Sequence, residues 1–202
     1  MKIHILSYIR LVGILENIIN MTKEFYDIYK SEYTAVLDNI KYDNINIAIG
    51  LIKNAKNIFI IGNGGSLNIA SHFATDLRKT SKLYLSAISL DNISHITAIG
   101  NDLNFKDIFV EQLKGLAKDV DLLISFSTSG DSENILEAVH WAMHNGIITL
   151  SFTGLKGNLK TLSQYKVLIP SYNQLILESL FSYLTHYIIE VLLNEKSIRL
   201  LQ

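Results

Sequence analysis

Asn57-Ile58-Phe59-Ile60-Ile61-Gly62-Asn63-Gly64-Gly65-Ser66 is the stretch on which the fold turns. The apolar run from Ile58 to Ile61 carries no alternation, the pattern of a strand buried on both faces of a parallel sheet. Gly62 ends it, a glycine-rich turn follows, and residues 67–79 have the length and composition of a helix. Strand, tight turn and helix in that order form the opening unit of an α/β domain.

Working outward, the alternation recurs. Strands are predicted at residues 85–90, 121–125, 146–152 and 166–169, separated by helix-length intervals. The pattern predicts an α/β fold: a five-stranded parallel sheet with helices on both faces. Residues 22–54 read as helical, with a break over 41–46. Residues 172–193 hold neither proline nor glycine and predict one long helix. The expected organisation is a single domain over 1–202, with a helical lead-in (1–54) and an α/β core (55–195).

The lead-in opens MKIHILSYIRLVGILENIINM, where Arg10 and Glu16 interrupt the apolar run and no small-residue cleavage site follows. Ile3, Leu6, Ile9, Ile14 and Ile18 recur at helical spacing, so an amphipathic helix is expected, with Met21 a second candidate start. No uninterrupted apolar run of about 20 residues occurs, as a membrane span would need. The chain has 202 residues, formal net charge −1 and no cysteine. Near-neutral charge gives no general pull toward nucleic acid or an anionic membrane, so neither is an expected partner. Absence of cysteine excludes disulfides, thiolate ligands and a cysteine nucleophile, and a cytoplasmic location is expected. Apolar content of 49% fits either a large core or helix faces buried against other subunits.

Two polar loops carry the chemistry. Gly62-Asn63-Gly64-Gly65-Ser66 joins a strand to a helix, where glycine lets backbone approach a ligand and the helix dipole favours an anion. Ser127-Thr128-Ser129-Gly130-Asp131-Ser132 occupies the same position after another strand, and its hydroxyls can donate to phosphate oxygens without adding charge. Either loop alone is equally a packing turn or a helix cap. Both at the carboxyl edge of one parallel sheet, where open α/β folds bind ligands, point to an anion site. There is no G-x-x-x-x-G-K-[ST], and the first loop lacks the third glycine of G-x-G-x-x-G, so a dinucleotide is not expected.

Taken in order, the first loop, Asn101-Asp102 and the second loop resemble the sugar-isomerase (SIS) domain of phosphoheptose isomerases, from about residue 21 to 195. The resemblance implies a three-layer SIS-type fold, a homotetramer with sites at subunit interfaces, and one zinc per subunit. It also implies conversion of sedoheptulose 7-phosphate to a mannoheptose 7-phosphate through an enediol. On the family's pattern, His72, Asp76, Glu178 and His186 form the metal set. Asp76 is then the catalytic base and His186 the partner acid or ligand. Asn63, Gly64, Gly65, Ser66, Ser127, Thr128, Ser129 and Ser132 are expected to bind the phosphosugar, together with Asn101, Asp102, Asp76 and Glu178. The spacings agree: four residues separate His72 from Asp76 and eight separate Glu178 from His186, each keeping a common helix face. The chain departs from the family in having Asp76 for Glu, Glu178 for Gln, Ser179 for Glu, Phe181 for His, and Leu67 where His or Ala is common. These departures keep a second reading open, a non-catalytic SIS protein that senses a phosphosugar or bridges other proteins. His140 and His144 share a helix face without matching carboxylates and are expected to be exposed. His95 reads as a loop or helix-start residue, and His4 is given no role.

Overall fold

In the computed structural model, residues 2–79, 85–118 and 121–199 are described, with side chains for 15 and, within those ranges, from 18 to 194. Contacts divide the chain into two compact units, Met1–Asp38 and Asn39–Gln202. The first is one continuous helix, α1 (Lys2–Asp38). The side chains of Ile3, Leu6, Ile9 and Ile14 lie outside the described residues, while Ile18, Ile19, Phe25 and Ile28 are exposed. A Lys23–Asp27 ion pair of 2.8 Å spans one turn of its surface.

The second unit begins with α2 (Tyr42–Asn54), so the division falls near residue 38 rather than at 54. The reason is burial: Ala48 and Ile52 have no exposed surface, and α2 packs on the sheet edge and the last helix. Then come β1 (Asn57–Gly62), α3 (Gly65–Lys79), β2 (Ser86–Ser89), α4 (Ile93–Asp102) and a single 3₁₀ turn (Phe105–Asp107). After α5 (Val110–Leu116) follow β3 (Leu122–Ser127), α6 (Glu133–His144), β4 (Ile148–Thr153) and α7 (Leu159–Leu162). The unit closes with β5 (Tyr165–Leu168) and α8 (Gln174–Arg199). Each predicted strand is present.

The sheet is wholly parallel, in the order β2-β1-β3-β4-β5. From β1 the chain crosses outward to β2; from β3 it crosses the other way to β4. Right-handed crossovers in opposite directions put α3 and α6 on opposite faces. Alternate side chains of each strand feed the two layers. Phe59, Ile61 and Leu123 join Leu113, Ile135 and Val139 beneath α5 and α6. On the other face Phe126 stacks on Phe152 at 4.8 Å between centroids and meets Phe73 of α3 and Phe181 of α8. Truncating Phe126 to alanine would cost about 3–5 kcal/mol by the usual cavity penalty.

Among the described residues one helical stretch, Gln174–Asn194 of α8, is long and apolar enough to cross a membrane, and half of it is buried inside the fold. Ile176, Leu180, Phe181 and Ile188 are fully buried, which accounts for its apolar character as a core helix.

Candidate functional site

The reversal between β1 and β3 opens a crevice at the carboxyl edge, the place where doubly wound sheets take their ligands. Gly62 and Phe126 are paired in register, so the two polar loops leave the sheet side by side. Between them lies a cavity of about 300 Å³, completed by Gln174 and Glu178 of α8. Gly64 turns the first loop at φ 53°, a conformation glycine adopts without a Cβ penalty. At Gly65 a Cβ would stand 2.9 Å from Glu178 Oε2, so the missing side chain is what lets that carboxylate reach the start of α3.

The second loop shows how its hydroxyls are used. Ser127 Oγ accepts from Gly130 N at 3.0 Å, and Ser129 Oγ accepts from Asp131 N at 3.3 Å. Accepting leaves each hydroxyl its own proton to donate, to a neighbouring serine (Ser127 Oγ and Ser129 Oγ lie 3.5 Å apart) or to a ligand. Ser132 precedes α6 but makes no side-chain cap, which removes the bland explanation for that hydroxyl. Its Oγ lies 3.3 Å from Ser129 Oγ. Among the described residues no lysine or arginine lines the cavity, while Glu178 does. An anion placed here would meet hydroxyls and helix N-termini.

A second group lies further along α3 and α8. His72 Nε2 stands 3.0 Å from Asp76 Oδ2 and 3.3 Å from His186 Nε2. The three side chains can each aim one ligand atom within 4.8 Å of the others. His72 Nε2 holds either one proton or one lone pair. A proton given to Asp76 leaves none for His186 Nε2, which is open to solvent, whereas one cation could take a lone pair from each of the three.

The structure brings together most, not all, of the residues expected from sequence. Asn63, Gly64, Gly65, Ser66, Ser127, Thr128, Ser129 and Ser132 line the cavity. Glu178 stands at the cavity instead of in the three-residue group, because eight residues of helix rise about 12 Å and one common face does not mean one common height. Asn101 and Asp102 end α4, are exposed, hydrogen-bond each other at 2.8 Å and do not line the cavity. His140 and His144 are exposed, with His144 Nδ1 2.8 Å from the His140 carbonyl; His95 is an exposed first-turn residue of α4. Sequence reasoning missed Gln174, which lines the cavity one turn before Glu178.

Residues 28–154 match the SIS domain family. The phosphoheptose isomerase of Helicobacter pylori strain P12 is 39% identical over 140 residues, spanning 67% of this chain and 73% of that protein. The chain belongs to the phosphoheptose isomerase family. Its relative from Aliarcobacter butzleri is 36% identical over 156 residues, covering 75% and 82% of the two chains. The solved phosphoheptose isomerase from Francisella tularensis superposes with a TM-score of 0.77 at 27% identity, over 84% of this chain and 96% of that one. The three-layer SIS architecture expected from the loops is thus the architecture found.

Proposed function

We propose that this phosphoheptose isomerase converts sedoheptulose 7-phosphate to D-glycero-D-manno-heptose 7-phosphate, an early step toward bacterial surface heptose. The observation that carries the reading is the arrangement along α3 and α8. The two helices pack together and carry both groups of residues, the loop cavity at their start and the histidine group further along. From Ser66 to His72 the helix rises about 9 Å. That separation suits a linear sugar with its phosphate at one end and its carbonyl at the other.

Ser66, Ser127, Thr128, Ser129 and Ser132 hold the phosphate by donated hydrogen bonds. Asp76 presents Oδ2 to His72, and its second oxygen takes the proton moved between C2 and C1. His186, when its Nε2 is not ligating, gives a proton to the C2 oxygen as the enediol forms and takes one from the C1 hydroxyl as it collapses to the aldehyde. Two imidazoles and one carboxylate are a donor set that zinc accepts. Ligand atoms about 2.05 Å from a tetrahedral zinc stand about 3.3 Å apart, close to the two separations observed. His72, Asp76 and His186 would hold the ion, which when bound supplies a Lewis acid for the carbonyl oxygen.

The working unit is proposed to be a homotetramer in the cytoplasm. The exposed apolar residues of α1 support the assembly, as does the placing of Asn101 and Asp102 away from the cavity, where they would serve a neighbouring subunit. Light scattering is expected to give four times the mass of one chain. Turnover in deuterium oxide tests the chemistry: an enediol puts solvent deuterium at C2 of the product. A product retaining all of the substrate's hydrogen would replace this mechanism with a hydride shift.

A further inference from the structure

Asn63 and Asn134 lie 71 residues apart and face each other across the crevice between β1 and β3. Asn63 Nδ2 donates to Asn134 Oδ1 at 2.8 Å, and Asn134 Nδ2 donates to Asn63 Oδ1 at 2.9 Å. A paired ring of this kind fixes both the distance and the orientation of two amides. Asn134 is 2% exposed, so each amide is the main partner open to the other. Asn63 opens the turn that ends at Ser66, whose N–H bonds to the Asn63 carbonyl at 3.0 Å. Asn134 follows Ser132 by two residues in the first turn of α6. The amide ring is therefore a direct side-chain tie between the two loops that form the cavity. It also engages both polar atoms of Asn63, a residue expected from sequence to orient the sugar.

We propose that Asn134 is a positioning residue: its pairing with Asn63 holds the two phosphate-binding loops at the spacing that lets one phosphate bridge them. The inference rests on reading the loop cavity as the phosphate site. The residue touches no reacting atom, so its loss acts on substrate capture and leaves the proton transfers alone. Leaving Asn63 with an unpaired amide and the loops untied is expected to weaken phosphate binding about tenfold.

The test is titration of inorganic phosphate into the intact protein and into Asn134→Leu, which keeps the branching of the side chain, is somewhat bulkier, and removes both hydrogen bonds. The same two samples are assayed with sedoheptulose 7-phosphate, and their melting temperatures are measured. The expected result is a Kd for phosphate and a KM for the sugar each raised about tenfold, with kcat within twofold of the parent. A merely structural asparagine would lower the melting temperature and leave KM and Kd where they were, and that result overturns the proposal. If the parent protein binds no phosphate, the loops are not a phosphate site and the underlying reading falls first. Asn134→Thr offers Asn63 one hydroxyl in place of the amide and carries the same titration should the leucine variant not fold; the expected loss is then about threefold.

Discussion

The loop cavity and the histidine group share two helices and are built in opposite ways. The cavity is a backbone construction. Its glycines and hydroxyls fall within a few residues of a strand end, and the parallel pairing of Gly62 with Phe126 sets the loops side by side. The histidine group is a side-chain construction. Its atoms converge only because α3 and α8 pack together, bringing His186 to His72 across 114 residues of sequence. A site of the first kind tolerates small changes in single side chains, since several donors share one anion. A site of the second kind fails with any one ligand.

That contrast predicts the largest loss at the histidine group. Replacing His186 with alanine is expected to cut turnover by about a thousandfold, the scale of a lost acid–base partner, and to lower bound metal in the same preparation. His144→Ala, which removes an exposed histidine from α6, is expected to leave both unchanged. Equal losses from the two variants would break the distinction. At the cavity, Ser132→Ala removes one donor among several. It is expected to raise KM for the sugar phosphate about tenfold while metal content holds, as measured by steady-state kinetics and elemental analysis.

The fold was legible because its central strands, β1, β3 and β4, are buried on both sides. The run 58–61 is apolar throughout since alternate residues enter different layers, and both layers are dry. The loops were legible for a local reason, as each motif follows its own strand end directly. Helix register was legible too, and His72 and Asp76 meet as an i, i+4 pair should. Height along a helix pair was not legible. Glu178 and His186 share a face of α8, yet only the packing of α8 on α3 determines which part of α3 each one meets. Short elements such as α5 and α7 gave no periodic signal, having too few residues to show one. The Asn63–Asn134 ring joins residues whose separation in sequence carries no pattern at all.

Glu178 is where the comparison can be sharpened most simply. It lines the cavity, where no described lysine or arginine does, and lies outside the three-residue group, so Glu178→Gln is expected to leave metal content unchanged. The same change is expected to lower KM about threefold, since a negative charge no longer faces the phosphate. Loss of metal in this variant would move Glu178 into the histidine group and merge the two regions. The smallest effect is expected from Asp76→Glu. The longer side chain restores reach to the proton, and turnover should hold or rise by up to a few fold if Asp76 is the base. A fall of tenfold or more in initial rate would assign the base elsewhere.

The most direct test of the whole account is turnover and metal content measured on one sample. The purified protein is incubated with sedoheptulose 7-phosphate before chelation, after chelation, and after zinc is returned. The account predicts formation of the mannoheptose 7-phosphate, its loss with the metal, and its recovery when about one zinc per chain is restored. Tight binding of the sugar phosphate with no isomerisation in any of the three states would contradict it, and would make the chain a phosphosugar sensor built on an isomerase frame.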